Sequence, residues 1–214
     1  EMCIRDSSCN PAFIEIGRRL GAEKFFQYFS AYGLTERTGI DLPAESTSYY
    51  QGLNGMGPIE LASCSFGQTN KLTPMEMITA YAAVINGGEL LTPYVVSKIV
   101  DGDGNVVLTN EKSVKRQVIS EETSKIMCDT LEQVAIGNGA YIKGYHVGGK
   151  SGTSQKLDEY PEEYMRYISS YCCFAPADDP EVIMLLMADE PMSGDYYGSC
   201  LLYTSPSPRD STSS

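Results

Sequence analysis

Three strand-length runs near the end of the chain, Tyr145 to Gln155, Met165 to Phe174 and Glu181 to Asp189, constrain the fold more than any other feature. The last two are joined only by Ala175-Pro-Ala-Asp-Asp-Pro180, too short for a crossover helix, so the runs are expected to be antiparallel neighbours. A second hairpin is expected where Tyr94 to Val100 and Asn105 to Thr109 flank Asp101-Gly-Asp-Gly104. The chain ahead of these runs is helical in pattern. Asn10-Pro11 reads as a cap with proline at the first helical position, followed by Phe13, Ile14, Ile16 and Leu20 and a stop at Gly21. A second helix carries Phe25, Phe26, Phe29 and Tyr32 to Gly33, an aromatic stripe that reads as core. Thr73-Pro-Met-Glu76 is a capping box leading through Met77, Ile78, Tyr81, Ala82 and Ile85 to Gly87-Gly88. A further helix runs from Ser120-Glu121-Glu122 through Ile126, Met127, Leu131 and Val134 to Gly137-Asn-Gly139, its acids at the positive end of the dipole. A helical lobe followed by an antiparallel sheet is an α+β fold.

Charge narrows the partners. Sixteen basic against 28 acidic side chains give a formal charge of −12 over 214 residues, which repels a phosphate backbone, so nucleic acid is not an expected partner. No window approaches the roughly eighteen apolar residues of a spanning helix, and the N-terminus lacks the pattern of a signal peptide, so the chain as it stands is expected to be soluble. Seven cysteines with no C-x-x-C pair, beside the single His146, are expected to be thiols, with no metal site. Adjacent Cys172 and Cys173 sit in a strand-like run and read as small hydrophobes on opposite faces. The two ends stand apart. Residues 1–7 and the Ser/Pro-rich residues 200–214 share the tripeptide Arg-Asp-Ser, resemble translated sequencing adapter, and are read as non-native extensions of a domain spanning 8–199. Adapter-free source DNA that still encodes both tripeptides would refute that reading.

Two chemistries compete for one segment. Gly144-Tyr-His-Val-Gly-Gly-Lys150-Ser151 fits the phosphate-loop pattern G-x-x-x-x-G-K-S, and Val182 to Asp189-Glu190 mimics an apolar strand ending in magnesium-holding acids. That site, however, needs a strand before the loop and a helix after it, whose N-terminal amides hold the phosphates. Gly152-Thr-Ser-Gln-Lys-Leu-Asp-Glu-Tyr-Pro161 has no helical period, so a nucleotide hydrolase is a remote alternative. The other reading takes Lys150-Ser151-Gly152-Thr153 as the strand-borne K-[ST]-G element of serine acyl-transferases, whose set is S-x-x-K, S-x-N and K-T-G. Ser8-Cys9-Asn10 then supplies S-x-N.

These elements do not stand alone. Ser8-Cys-Asn-Pro-Ala-Phe, Thr38-Gly-Ile-Asp-Leu-Pro-Ala-Glu45, Ser65-Phe-Gly-Gln68, Leu72-Thr-Pro-Met-Glu-Met, Ile85-Asn-Gly-Gly88, Val147-Gly-Gly-Lys-Ser-Gly-Thr-Ser154 and Phe174-Ala-Pro-Ala-Asp-Asp-Pro180 occur in that order. Together they resemble class B penicillin-binding proteins, the monofunctional transpeptidases of cell elongation, division or spore-cortex synthesis, over nearly all of the middle of the chain. The resemblance implies acyl transfer through a serine ester formed on D-Ala-D-Ala stem peptides of peptidoglycan, with β-lactams acylating the same serine and no cofactor. It also implies that Ser8 relays a proton to the leaving amine, Asn10 binds the substrate amide, and Lys150 keeps the pocket positive as a point charge. Ser151 and Thr153 would hold the terminal carboxylate, Gly152 would permit close approach, and the Thr153 N–H would form half of an oxyanion hole.

One motif is missing. No S-x-x-K occurs: Ser113-Val-Lys-Arg116 ends in arginine, and Thr153-Ser-Gln-Lys156 begins with threonine. In the family that motif, with its nucleophilic serine and basic lysine, precedes S-x-N, so this chain is expected to be the back part of the domain and inactive alone. The resemblance further implies a parent with an N-terminal membrane anchor, acting outside the cytoplasmic membrane with a glycosyltransferase partner. A catalytically dead scaffold that binds peptidoglycan or divisome partners is the alternative. Gly67-Gln68 reads as a loop anchor, His146 as structural, and Asp158-Glu-Tyr-Pro-Glu-Glu163 as a solvated loop, by resemblance at the border of the cleft.

Overall fold

The structure, a computed structural model, describes residues 8–138, 140, 142–156 and 166–192. The two expected extensions and the Asp158–Glu163 stretch lie wholly or mostly outside these residues; Ser8, the first residue of the expected domain, is the first described. The chain divides into two compact units, residues 1–127 and 128–214.

The first unit opens with α1 (Asn10–Leu20) and α2 (Ala22–Ala31). The residue capping α1 is Cys9 and no side chain caps it, so the expected Asn10 cap is corrected: Asn10 is already helical. The packing face also differs from the one expected. Ile16 is 55% exposed, and the buried residue is Gly17, where an added Cβ would lie 1.8 Å from Ser65 Oγ. Absence of a side chain at Gly17 thus sets how closely α1 approaches α3 (Pro58–Ser65), a helix opened by Gly57 and Pro58 that the hydrophobic pattern did not reveal. The aromatic stripe of α2 is half-buried, with Phe26 and Phe29 against Tyr50 at ring separations of 6.3 and 5.9 Å.

Helix α4 (Pro74–Ile85) has the predicted capping box: Thr73 Oγ1 accepts from the Glu76 N–H, and the Glu76 carboxylate accepts from the Thr73 N–H. Glu76 is only 2% exposed and also accepts from the Ser48 hydroxyl. After Gly87-Gly88, both left-handed, come β1 (Glu89–Leu91), β2 (Lys98–Val100), β3 (Val106–Thr109) and β4 (Val114–Gln117). The β2–β3 hairpin forms as expected, although Tyr94 to Ser97 are not part of it, because the Val95 and Val96 N–H groups donate to Asp41 at 2.7 and 2.9 Å. Pairing of β1 with β4 was not foreseen; these strands are too short to show a period. Arg116 on β4 donates to the Ala31 and Ser30 carbonyls, closing the C-terminus of α2.

Helix α5 (Glu121–Gly137) runs into the second unit. Leu131 and Val134 are buried as expected, with Ser124, Cys128 and Ala135 completing the stripe, while the expected Ile126 is 57% exposed. The sheet of the second unit has the order β5-β6-β7, antiparallel throughout: β5 (Gly148–Gln155), β6 (Tyr167–Ala175) and β7 (Val182–Asp189). Its β6 residue Tyr171 clusters with Ala135 and Ala140, and Cys173 packs on the same side. The first run begins as a strand only at Gly148, because Gly144 turns the chain (φ +87°) and the Tyr145 N–H donates back to the Ile142 carbonyl.

Candidate active site

The four residues Lys150, Ser151, Gly152 and Thr153 lie consecutively in the middle of β5, which among the described strands pairs on one side only. They face Cys172, Tyr171, Ser170 and Ser169 of β6. Alternation puts Lys150 and Gly152 on one face of the ribbon and Ser151 and Thr153 on the other, with the backbone edge between them. Lys150 and Ser151 lie inside a strand that runs on to Gln155, so no helix starts at Ser151 and the amide-rich helix start that a phosphate loop needs is not formed there, which counts against the phosphate-loop reading.

Glycines seat this strand against its neighbours. A Cβ at Gly148 would lie 2.2 Å from the Phe174 ring, and one at Gly149 would lie 2.9 Å from the Cys172 carbonyl and the Tyr171 ring. At Gly152 the obstruction is only the Ser170 hydroxyl at 2.7 Å, a group able to rotate. So the two glycines ahead of Lys150 serve β5–β6 packing, while Gly152 leaves backbone accessible within the motif.

Burial sets the electrostatics. The Lys150 ammonium donates to the Ser151 carbonyl at 2.8 Å, and desolvation holds its pKa below the ordinary lysine value. Behind it, burial and then the neighbouring Cys173 push the Cys172 thiol up to about 12, which leaves it protonated and inert, in keeping with the hydrophobe reading. His146, just ahead of β5, pairs through Nδ1 with Glu132 of α5 at 2.7 Å, and its carbonyl accepts from the Ala177 N–H. That carboxylate raises the histidine pKa.

The remaining site residues, Ser8 and Asn10, lie in the first unit at the entry to α1, with Ser8 in a left-handed backbone conformation (φ +51°). Sequence blocks that carried the resemblance prove to be loop staples. Glu45 accepts from the Thr38 N–H and hydroxyl at 2.7 and 2.6 Å and from the Gly39 N–H at 3.1 Å. The Gln68 N–H donates to the Ser63 carbonyl at 3.0 Å behind left-handed Gly67. What sequence reasoning missed is the set of β6 residues opposite the motif and the charged groups past its end, because only strand register brings them there.

A strand bearing Lys-Ser-Gly-Thr in a chain with a helical unit is the arrangement expected of the penicillin-binding transpeptidase class, and comparison with known proteins shows the family. The profile of the penicillin binding protein transpeptidase domain matches residues 5–201. The chain belongs to this family, in its class B branch. It is 40% identical over 199 residues to the stage V sporulation protein D of Bacillus subtilis, covering 91% of this chain and 31% of that protein. It is 30% identical over 216 residues to a peptidoglycan D,D-transpeptidase FtsI homolog of Mesostigma viride, covering 92% of this chain and 36% of the relative. The chain therefore spans about a third of the length of these curated relatives. Its fold matches penicillin-binding protein 3 of Mycobacterium tuberculosis in complex with aztreonam, with a TM-score of 0.81 at 24% identity over 89% of this chain and 45% of that one. A peptidoglycan synthetase from Bifidobacterium adolescentis gives a TM-score of 0.82 at 23% identity, covering 93% and 36%.

Proposed function

We propose that this chain forms two of the three motif-bearing walls of a peptidoglycan D,D-transpeptidase site that works through a serine acyl-enzyme and is a target of β-lactams. The observation that carries the reading is Lys150–Thr153 as an extended edge strand with a half-buried, desolvated lysine. Such a strand aligns beside an extended D-Ala-D-Ala peptide as one more strand would. Ser8 passes a proton to the departing D-Ala amine, Asn10 hydrogen-bonds the stem-peptide amide, Lys150 balances the terminal carboxylate, and Ser151 and Thr153 bind it. The Thr153 N–H stabilises the developing oxyanion, a contribution of about 3 kcal/mol at comparable sites. The nucleophilic serine, its lysine and the second oxyanion donor come from an S-x-x-K segment upstream in the parent reading frame. A membrane anchor and a glycosyltransferase partner belong to that parent as well. Relationship to a sporulation protein makes wall synthesis during sporulation the first role to test.

The test is covalent labelling with a fluorescent penicillin. The protein encoded by the full reading frame should label, Lys150→Ala should slow labelling by about 10²-fold or more, and the 214-residue chain alone should not label. A covalent adduct on the isolated chain, or a full-length protein with intact S-x-x-K that stays unlabelled, would overturn the reading.

A further inference from the structure

The acidic pair Asp189-Glu190, which on letters mimics a magnesium site, has no part in the acyl-transfer roles above. The structure occupies it otherwise. Glu190 accepts a hydrogen bond from Lys156 Nζ at 3.0 Å through one oxygen and pairs with the Arg166 guanidinium through the other. Asp189 lies 2.7 Å from the same Lys156 ammonium. Backbone bonds continue the ladders to this point, from the Lys156 N–H to the Arg166 carbonyl at 2.9 Å and from the Glu190 N–H to the Tyr167 carbonyl at 3.0 Å. Both cations hold the Glu190 carboxyl below the usual carboxylate range, the Lys156 hydrogen bond most strongly.

Two independent features make this more than a surface ion pair. Glu190 sits at φ +50°, a conformation that a non-glycine residue adopts at a cost and keeps only where its surroundings demand it. Lys156 is 14% exposed and stands three residues past Thr153, at the point where β5 ends. A strand paired on one side frays from its ends, and here the fray would reach the substrate-binding residues within one pleat. A single carboxylate thus joins the ends of β5, β6 and β7 directly behind the motif.

We propose that Glu190 is a positioning residue for the transpeptidase motif: by holding Lys156 and Arg166 it keeps the end of β5 in register, so that Ser151 and Thr153 stay where the substrate carboxylate and oxyanion require them. This rests on the acyl-transfer reading for its consequence, although the clamp itself does not. In the full-length protein, Glu190→Gln should slow acylation by fluorescent penicillin about tenfold, since misplacement on the order of 1 Å costs up to about 10²-fold. The final extent of labelling should not change. Lys156→Met should match it, Lys156→Arg should restore most of the rate, and the double variant Glu190→Gln/Lys156→Met should be no slower than either alone. Hydrogen exchange should quicken over residues 150–155 and not in α4 or α5.

Wild-type labelling rates with unchanged exchange in Glu190→Gln, or additive losses in the double variant, would overturn the proposal. Exchange quickened throughout the second unit would also overturn it, as that marks a general stabiliser. A wild-type protein that fails to label defeats the transpeptidase reading instead, and exchange at residues 150–155 then decides the clamp alone.

Discussion

At the scale of single residues, Lys150 is a candidate site group whose charged form its environment disfavours. Desolvation lowers its pKa, so the folded state gives up the proton more readily than the unfolded chain does. The sign follows: folding is penalised while the lysine is charged, and that penalty lifts as pH rises through the lowered pKa towards the ordinary value of 10.5. In the proposed acyl-transfer reading function runs the opposite way, because there the substrate carboxylate is attracted by the ammonium. Acylation by a β-lactam should therefore fall on the alkaline side below pH 10.5. Lys150→Arg should move that limb upward, because arginine stays charged above pH ~12, while lowering the rate, because a planar fork replaces a point charge. The pH profile of penicillin labelling measures both, and a limb that does not move in Lys150→Arg would show that another group titrates.

At the scale of elements, α4 shows how a local signal becomes tertiary. Its box was legible from Thr73-Pro-Met-Glu76 because both halves lie within one turn. Ser48, 28 residues from Glu76, was not, and its hydroxyl adds a loop to the cap. Thr73→Ala should cost about 1 kcal/mol, the usual worth of such a cap. Glu76→Ala should cost more, because it leaves the partly buried Ser48 hydroxyl short of its acceptor, at about 1–3 kcal/mol, while the Thr73 N–H keeps only Ser48 Oγ. Hydrogen exchange of the α4 amides ranks the two variants, and equal costs would mean that Glu76 acts only as a half of the box. On β5, Gly148→Ala should destabilise by about 1–3 kcal/mol through its clash with the Phe174 ring, whereas Gly152→Ala should barely change stability. Thermal denaturation of the two variants tests this directly.

At the scale of the molecule, the chain exposes apolar surface along β7, with Val182 64%, Met184 53% and Leu186 38% exposed. No helix among the described residues is long and apolar enough to cross a membrane. Exposed residues of that size and spacing predict that the 214-residue chain binds a hydrophobic dye and that Met184→Lys weakens the binding. Equal binding by the variant would mean that this face is not where the dye sits.

Sequence by itself determined the elements whose signals are local: the α4 box, the Asp101-Gly104 hairpin turn, the antiparallel β6–β7 pair forced by a short connection, and the strand character of Lys150–Thr153 that separates it from a phosphate loop. Motif order across the chain was enough for the family. Tertiary structure alone decided that Ser124, Cys128 and Ala135 rather than Ile126 join Leu131 and Val134 on the buried face of α5, that Gly17 rather than Ile16 makes the helix contact of α1, and that Arg116 closes α2. It also decided that Glu190 gathers Lys156 and Arg166 from 34 and 24 residues away. The physical reason is range. Caps, turns and periods are satisfied within a few residues of chain, whereas packing faces and ion networks depend on strand register and helix rotation that no local stretch encodes.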